Sequence, residues 1–167
     1  CIRDSQYTDC PLYWISVIYL NFAEAKAEMG SLTQDDLNNS INKLQARAGL
    51  PAMTTTPDAD PANNMGVSNL IWEIRRCRRC ELIMDNWYRY WDLIRWHQLD
   101  KLDSTKYPNT MLGANVSNVP DCEEATKNGY IDASDAQIRT YEAKHYFYPI
   151  PTTQLTLNKN MKQNPGW

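Results

Sequence analysis

Apolar residues in the first half of the chain recur at the three- and four-residue spacing of amphipathic helices. The first stripe predicts a helix from about Pro11 to Met29, because proline suits a first helical turn and Gly30 suits the residue after a helix end. Its apolar members are Tyr13, Val17, Leu20, Ala23 and Ala27.

A second helix is predicted directly after a short turn. Thr33 and Asp36 form an approximate capping box, with Asp in the place of Glu, and Gly49 and Pro51 end the apolar pattern. Each of the two helices needs a partner for its apolar face, so the short turn predicts an antiparallel hairpin. The apolar positions of the second helix are Leu37, Ile41, Leu44 and Ala48.

Two further helices follow a loop over residues 52–67 that is rich in Thr, Pro, Asp and Asn. Ser68 is a good N-cap for the third helix, and Asp85-Asn86 is a predicted break. The fourth helix is predicted to end at about Leu102. The apolar positions are Leu70, Ile74 and Cys77, then Trp87, Trp91 and Ile94.

From Ser104 onward the helical period disappears, and turn signals replace it. Gly129–Asp132 is a candidate short strand, and the prolines of residues 148–151 predict an extended segment. Thr153 is expected to cap one helical turn at Gln154-Leu155. Residues 164–167 (Asn-Pro-Gly-Trp) predict a turn that ends in an aromatic anchor.

These patterns together predict a mainly α fold of helical hairpins, with at most a short β-hairpin. Residues 1–103 are predicted to be helical and residues 104–167 largely irregular and extended, within a single domain spanning 1–167.

Composition narrows the function classes. The chain is 43% hydrophobic and 22% charged, as globular proteins are, and a net charge of −3 argues against a nucleic-acid-binding protein. Its longest apolar run is too short to span a bilayer, and its first residues do not read as a signal peptide. Six Trp and ten Tyr accompany only two Phe, which suits either helix interfaces or carbohydrate recognition.

Candidate catalytic and metal chemistry is sparse. Cys77 and Cys80 form a C-x-x-C without a second such pair or a nearby histidine, so zinc is not expected. A thioredoxin-like site would need a βαβ setting, which is absent from the predicted helices. The run from Asp58 resembles the start of a calcium loop but lacks its Gly and final Glu. His97 and His145 lie in no catalytic signature. We expect no enzyme, metal or cofactor.

Opposite charges on the third and fourth helices recur at spacings of three and four residues, which predicts a partly buried Arg–carboxylate network around core tryptophans. The predicted pairs are Arg78–Glu81, Asp85–Arg89, Arg89–Asp92 and Asp92–Arg95, and the predicted core residues are Trp87, Trp91 and Trp96.

The same stretch resembles a known family. Residues 77–86 read CRRCELIMDN and residues 89–96 read RYWDLIRW. They resemble the E-R-R-x-E-L-x-F-E-G and R-[YF]-[WF]-D-L-x-R-W motifs of the SusD/RagB family. Three more segments agree in order: LNFAEAKAE at 20–28, INKLQARAGL at 41–50, and YPIP at 148–151 with the terminus NPGW.

The chain departs from the family pattern at five positions. Trp14 replaces an expected Arg, Cys77 an acid, and Asn86 the Gly of the E-G turn. Gln45 and Lys159 stand where Arg and Pro are usual.

The resemblance implies a surface-exposed outer-membrane lipoprotein of the Bacteroidetes type, without catalytic activity and with a tetratricopeptide-like helical body. Such proteins bind glycan, or in some members peptide, over a SusC-like TonB-dependent transporter. Complete members are longer and carry their lipid anchor upstream, so this chain is expected to be a carboxy-terminal part.

Ligand-contacting residues vary in the family and mostly lie upstream of this segment, so none is carried over. Exposed aromatic residues of the irregular region, Tyr107 and Tyr130, are the candidates here. The alternatives are a helical scaffold that binds only protein and a peptide-binding member of the same family.

Overall fold

The structure of the protein is a computed structural model that describes residues 13–83, 88–120, 126–132 and 137–167. The chain forms two compact units, the first ending at Arg89 and the second beginning at Tyr90. The predicted extent of a single domain over 1–167 stays a prediction.

Helix α1 (Ile15–Glu28) opens the first unit, while Pro11 lies outside the described residues. Gly30 follows the helix end with a left-handed φ of +68°, which glycine adopts without steric strain. The Ser31 amide donates to the Lys26 carbonyl at 3.0 Å, and the Gly30 amide to the Ala27 carbonyl at 3.0 Å. This pair of bonds is a Schellman motif, and it confirms the predicted end of the helix.

The predicted second helix is two helices, α2 (Gln34–Asn38) and α3 (Ile41–Arg47). The predicted capping box between Thr33 and Asp36 is present at the start of α2. The prediction of one continuous helix across residues 39–40 was wrong, because Ser40 leaves the helical conformation at φ −130° and ψ −96°. Its Oγ donates to the Asp36 carbonyl at 2.6 Å and so takes an acceptor that a continuous helix would use.

Helix α4 (Asn69–Glu81) begins as predicted, since Ser68 Oγ accepts a hydrogen bond from the Ile71 amide at 3.3 Å. It packs against α1 and α3, and together they bury the core of the first unit. The buried core residues are Val17, Leu20, Ala23, Leu37, Ile41, Leu44, Met53, Ile74 and Leu82.

The ion pairs of the first unit join different helices more often than they join residues of one helix. Arg75 on α4 bonds Glu24 and Glu28 on α1, and Glu81 accepts Arg47 of α3 at 2.6 Å. The predicted Asp92–Arg95 pair is confirmed at 2.9 Å, whereas Asp85 lies outside the described residues.

Helix α5 (Tyr88–Arg95) is shorter than the predicted fourth helix. His97, at a φ of +53°, ends the helical path, and a 3-10 turn (Leu99–Leu102) follows. Trp96 is 7% exposed, as predicted for the core. The core assignment of Trp91 was wrong, because its side of α5 faces outward and the residue is 53% exposed. Trp87 lies outside the described residues.

The second unit contains a small antiparallel sheet. Strands β1 (Leu112–Asn115), β2 (Thr126–Lys127) and β3 (Tyr130–Asp132) lie in the order β1-β3-β2 within the described residues. Asn128 and Gly129 both have positive φ, the requirement of a tight hairpin turn between β2 and β3. The predicted strand and hairpin are confirmed, and β1 adds a third strand.

The end of the chain has little regular structure besides a 3-10 turn (Ala143–Tyr146) and α6 (Thr152–Leu157). Pro151 occupies the N-cap of α6 and Thr153 lies inside the helix, so the predicted cap was wrong. The mainly α fold class with a largely irregular carboxy-terminal region is confirmed.

Candidate functional site: the aromatic surface of the second unit

Three aromatic side chains form a cluster on the second unit, here called the aromatic surface: the half-buried Tyr90 and the exposed Trp91 and Tyr148. The Tyr90 and Trp91 rings meet edge to face, with centroids 5.5 Å apart. A side-chain hydrogen bond joins Tyr90 to Tyr148. Trp91 is 53% and Tyr148 67% exposed. Large apolar plates with hydroxyl groups at their edge are therefore open to solvent.

Helix periodicity explains why α5 presents Trp91 to solvent. Leu93 and Asp92 are buried on the inner side of the helix, and Trp91 therefore points away from them. The Arg95 Nε donates to the buried Asp92 carboxylate at 2.9 Å, which satisfies that charge.

Tyr148 lies in the extended segment that its neighbouring prolines impose. The Asn164 side-chain amide donates to the Tyr148 carbonyl at 2.7 Å. Gln163 accepts from the Ile150 amide at 2.8 Å and donates to the Ile150 carbonyl at 3.0 Å. The side-chain amides of Gln163 and Asn164 thus hold the extended segment by hydrogen bonds to its backbone, as a neighbouring strand would.

The Tyr90 hydroxyl of the aromatic surface is neutral at physiological pH. The hydrogen bond to Tyr148, followed by burial, raises the pKa of Tyr90 above its usual range. Neutral phenols both donate and accept hydrogen bonds. Stacking rings beside such groups suit an uncharged ligand that has an apolar face and hydroxyls, as a sugar ring has.

A second group of rings serves internal packing. Burial, then a hydrogen bond to Tyr146, raises the pKa of Tyr141 to about 12. The Tyr146 hydroxyl accepts from the Leu99 amide at 3.2 Å, and its ring lies 4.9 Å from His97. His145 Nδ1 accepts from the Glu142 amide at 3.0 Å. Both histidines therefore have structural partners.

The sequence-predicted candidates lie elsewhere on the second unit. Tyr107 is half-buried, and its hydroxyl meets Lys101 Nζ at 3.1 Å while the same ammonium lies 4.8 Å from its ring centre. Tyr130 is on β3, opposite Asn115 and Lys127, and is 38% exposed. The sequence did not indicate Trp91 and Tyr148 as candidate ligand contacts, because both lie in motifs that were interpreted as structural.

The first unit has a cleft of about 520 Å³ between α4 and the segment 50–58, here called the loop–α4 cleft. Leu44, Leu50 and Met53 give it apolar walls, and Cys77 and Cys80 line its α4 side. No cluster of three metal-ligating side chains occurs among the residues that the structure describes. Asp60, from the calcium-like run, accepts from the Ala62 amide at 2.8 Å and from Trp72 Nε1 at 3.1 Å.

The model of the SusD family (SusD/RagB) matches residues 3–167. The chain belongs to the SusD family. Among solved structures, a SusD-like protein from Bacteroides fragilis NCTC 9343 is 25% identical with a TM-score of 0.62, over 91% of this chain and 25% of that one. The structure of BT4246 is 24% identical with a TM-score of 0.66, over 96% of this chain and 24% of that one. No curated protein sequence matches.

The chain thus spans about a quarter of the length of the SusD-like structures that it matches. Two SusD-family motifs meet within its first unit. Asn21 and Glu24 belong to the α1 motif, and they accept from Arg78 at 2.8 Å and Arg75 at 3.2 Å on α4. Within the described ranges, no helix has the length and apolar character needed to cross a membrane.

Proposed function

We propose that the protein containing this chain binds glycan for nutrient uptake and does not catalyse a reaction. The SusD-family match over residues 3–167 carries the proposal. Under this proposal the whole protein lies at the cell surface on the outer membrane, held by a lipid anchor outside this sequence. Its partner is a SusC-like TonB-dependent transporter, to which it hands the captured ligand.

We further propose the aromatic surface as a contact for glycan on this part of the protein. Trp91 and Tyr148 supply exposed apolar plates, and the Tyr90–Tyr148 hydroxyl pair supplies hydrogen bonds. Sugar rings are bound by stacking on aromatic faces, with hydroxyl groups that fix their orientation. Tyr130 and Tyr107 remain secondary candidates, since Tyr107 already holds Lys101.

A glycan array with the full-length protein tests the general proposal, and binding constants of its variants test the surface. Trp91→Ala and Tyr148→Ala are each expected to weaken binding about tenfold, because truncating a stacking ring removes on the order of 1–3 kcal/mol. Phe147→Ala is the matched control, since Phe147 is exposed beside Tyr148 but has no ring partner in the aromatic surface.

The outcomes separate the alternatives. Glycan binding that survives both aromatic substitutions would reject the aromatic surface but keep the general proposal. A full-length protein that retains no glycan and binds peptides would favour the peptide-binding alternative. Retention of other proteins alone would favour the helical scaffold.

A further inference from the structure

The two described cysteines share one face of α4 beside the loop–α4 cleft. Cys77 and Cys80 are both free thiols, three residues apart in the last turns of the helix. Side chains at this spacing lie on the same face of a helix. Cys77 stands where the family resemblance expects an acid, so the dithiol belongs to this chain rather than to the family pattern.

The spacing suits a disulfide. Helix geometry places Cα atoms three residues apart at roughly 5 Å, inside the range of about 4.4–6.8 Å that disulfides span. Cys80 precedes Glu81, the last residue of α4. Side-chain rotation, and fraying of this last turn, can bring the two sulfur atoms together.

The environments of the two thiols differ. Cys80 is exposed, and Arg76 one turn earlier lines the same cleft. Cys77 is half-buried, with the Gln45 Nε2 at 3.8 Å from its Sγ. Burial, with the charges of Glu81 and Glu73 in support, raises the pKa of Cys77 to about 12. Cys80 is therefore the thiol that meets a reagent first.

The reagent that fits is a small anionic disulfide. Of the four arginines near the pair on α4, Arg75 and Arg78 are buried, whereas Arg76 and Arg79 are exposed. Arg76 is paired with Glu73, and Glu81 lines the same cleft, so the exposed Arg79 is the main positive charge beside the thiols. Exposed positive charge near a thiol attracts an anionic partner.

We propose that Cys77 and Cys80 are a redox-active dithiol that exchanges with low-molecular-weight anionic disulfides to form an intrahelical disulfide. The Cys80 thiolate attacks the reagent, its S–S bond breaks, and one thiolate half leaves while the other stays on Cys80. Cys77 then loses its proton to water and attacks the Cys80 sulfur, which releases the second half. The chain loses two protons and two electrons, and the reagent is reduced to two thiols.

This site differs from a thioredoxin-type catalyst, whose reactive cysteine lies at a helix N-terminus. Here the pair lies near the C-terminal end of α4, away from the helix N-terminus that activates such a cysteine. The exchange is consequently a modification of the protein and not a turnover reaction.

The test uses the reduced full chain, treated with oxidised glutathione and digested with a protease that cuts after glutamate. Cleavage after Glu73 and Glu81 releases Ile74–Glu81, which holds both thiols. Mass spectrometry of the unmutated protein is expected to show loss of two hydrogens from this peptide. Cys77→Ser is expected to retain one glutathione half on Cys80. Cys80→Ser is expected to react about tenfold more slowly, because Cys77 is shielded and protonated.

Two results would overturn the proposal. One is a stable glutathione adduct on the unmutated peptide without closure of the disulfide. The other is equal reactivity of Cys77→Ser and Cys80→Ser in the folded protein. Both variants unfolded in denaturant serve as the control for intrinsic thiol reactivity, and circular dichroism verifies that each folds.

Discussion

Arg75 on α4 donates from Nε to the Glu24 carboxylate on α1 at 3.2 Å, and the two residues are only 8% and 3% exposed. The pair ties together two segments that are fifty-one positions apart in the sequence. Removing one partner leaves the other charge buried without full compensation. Glu24→Ala is therefore expected to lower the free energy of unfolding by about 3–5 kcal/mol, measured by urea denaturation.

Glu28→Ala is the matched control for that substitution. Glu28 accepts from the same guanidinium at 3.1 Å, but its side chain is half-exposed. Its removal is expected to change the free energy of unfolding by no more than about 1 kcal/mol. Equal losses for the two variants would contradict the role assigned to burial.

Gln45 and Cys77 are two departures from the family pattern that lie in contact, Nε2 to Sγ at 3.8 Å. The usual residues, Arg and an acid, would form an ion pair there. Gln45→Arg or Cys77→Glu alone is expected to destabilise the first unit, since each places a charge beside a neutral partner. The double variant is expected to recover about 0.5–3 kcal/mol relative to the sum of the single losses. Strictly additive losses in a double-mutant cycle would argue against this compensation.

The capping box of α2 predicts an acid-sensitive contribution to stability. Hydrogen bonds from the Thr33 amide and hydroxyl, then from Lys26, lower the pKa of Asp36 from 3.8 to about 2. The folded protein binds this proton less readily than the unfolded chain does. The contribution is therefore fully present above about pH 4 and is lost as the pH falls towards about 2.

Asp36→Asn is expected to remove that part of the pH dependence, followed as the free energy of unfolding between pH 2 and 7. Asp35→Asn, at the exposed neighbouring position, serves as the control. If the free energy of unfolding of Asp36→Asn fell between pH 4 and 2 as steeply as that of the unmutated protein, Asp36 would contribute nothing to the acid sensitivity.

The turn at Gly166 should tolerate no side chain. Gly166 has a φ of +88°, and a Cβ there would lie 2.8 Å from the Lys144 Cβ. Gly166→Ala is expected to lower the melting temperature more than Gly66→Ala does. Gly66 has a similar φ of +68° but open space around it, so the comparison isolates the steric contact from the backbone strain.

Trp167 follows that turn and donates from Nε1 to the Lys144 and Phe147 carbonyls at 3.2 and 2.9 Å. Trp167→Phe keeps most of the ring and removes both hydrogen bonds. A loss of about 1 kcal/mol in the free energy of unfolding is expected. A variant as stable as the unmutated protein would show that the ring alone anchors the terminus.

Local signals predicted the helix ends well. Thr33, Ser68 and Gly30 act on amides and carbonyls a few residues away, so their roles can be inferred from short stretches of sequence. The interruption at Ser40 was not predictable from periodicity, because the apolar spacing from Leu37 to Ile41 continues across it.

Contacts between residues distant in sequence were harder to predict. Glu81 has an arginine three residues earlier on its own helix, yet it accepts Arg47 of α3 at 2.6 Å, a choice that only packing decides. Trp91 and Trp96 belong to one motif but differ in exposure. Trp91 lies on the outer side of α5 and is exposed, whereas Trp96 follows the end of the helix and is buried. The aromatic surface depends on Tyr148 meeting Tyr90 across fifty-eight positions, which no local pattern encodes.

The outer face of α1 determines how a sample of this chain would behave in solution. Ile15, Ile18, Phe22 and Met29 are exposed along the side of the helix opposite Leu20 and Ala23. A row of exposed apolar side chains on one side of a helix favours reversible self-association as concentration rises. Light scattering across a dilution series, with Ile18→Lys as the comparison, would therefore be a sensible check before any ligand titration with this chain.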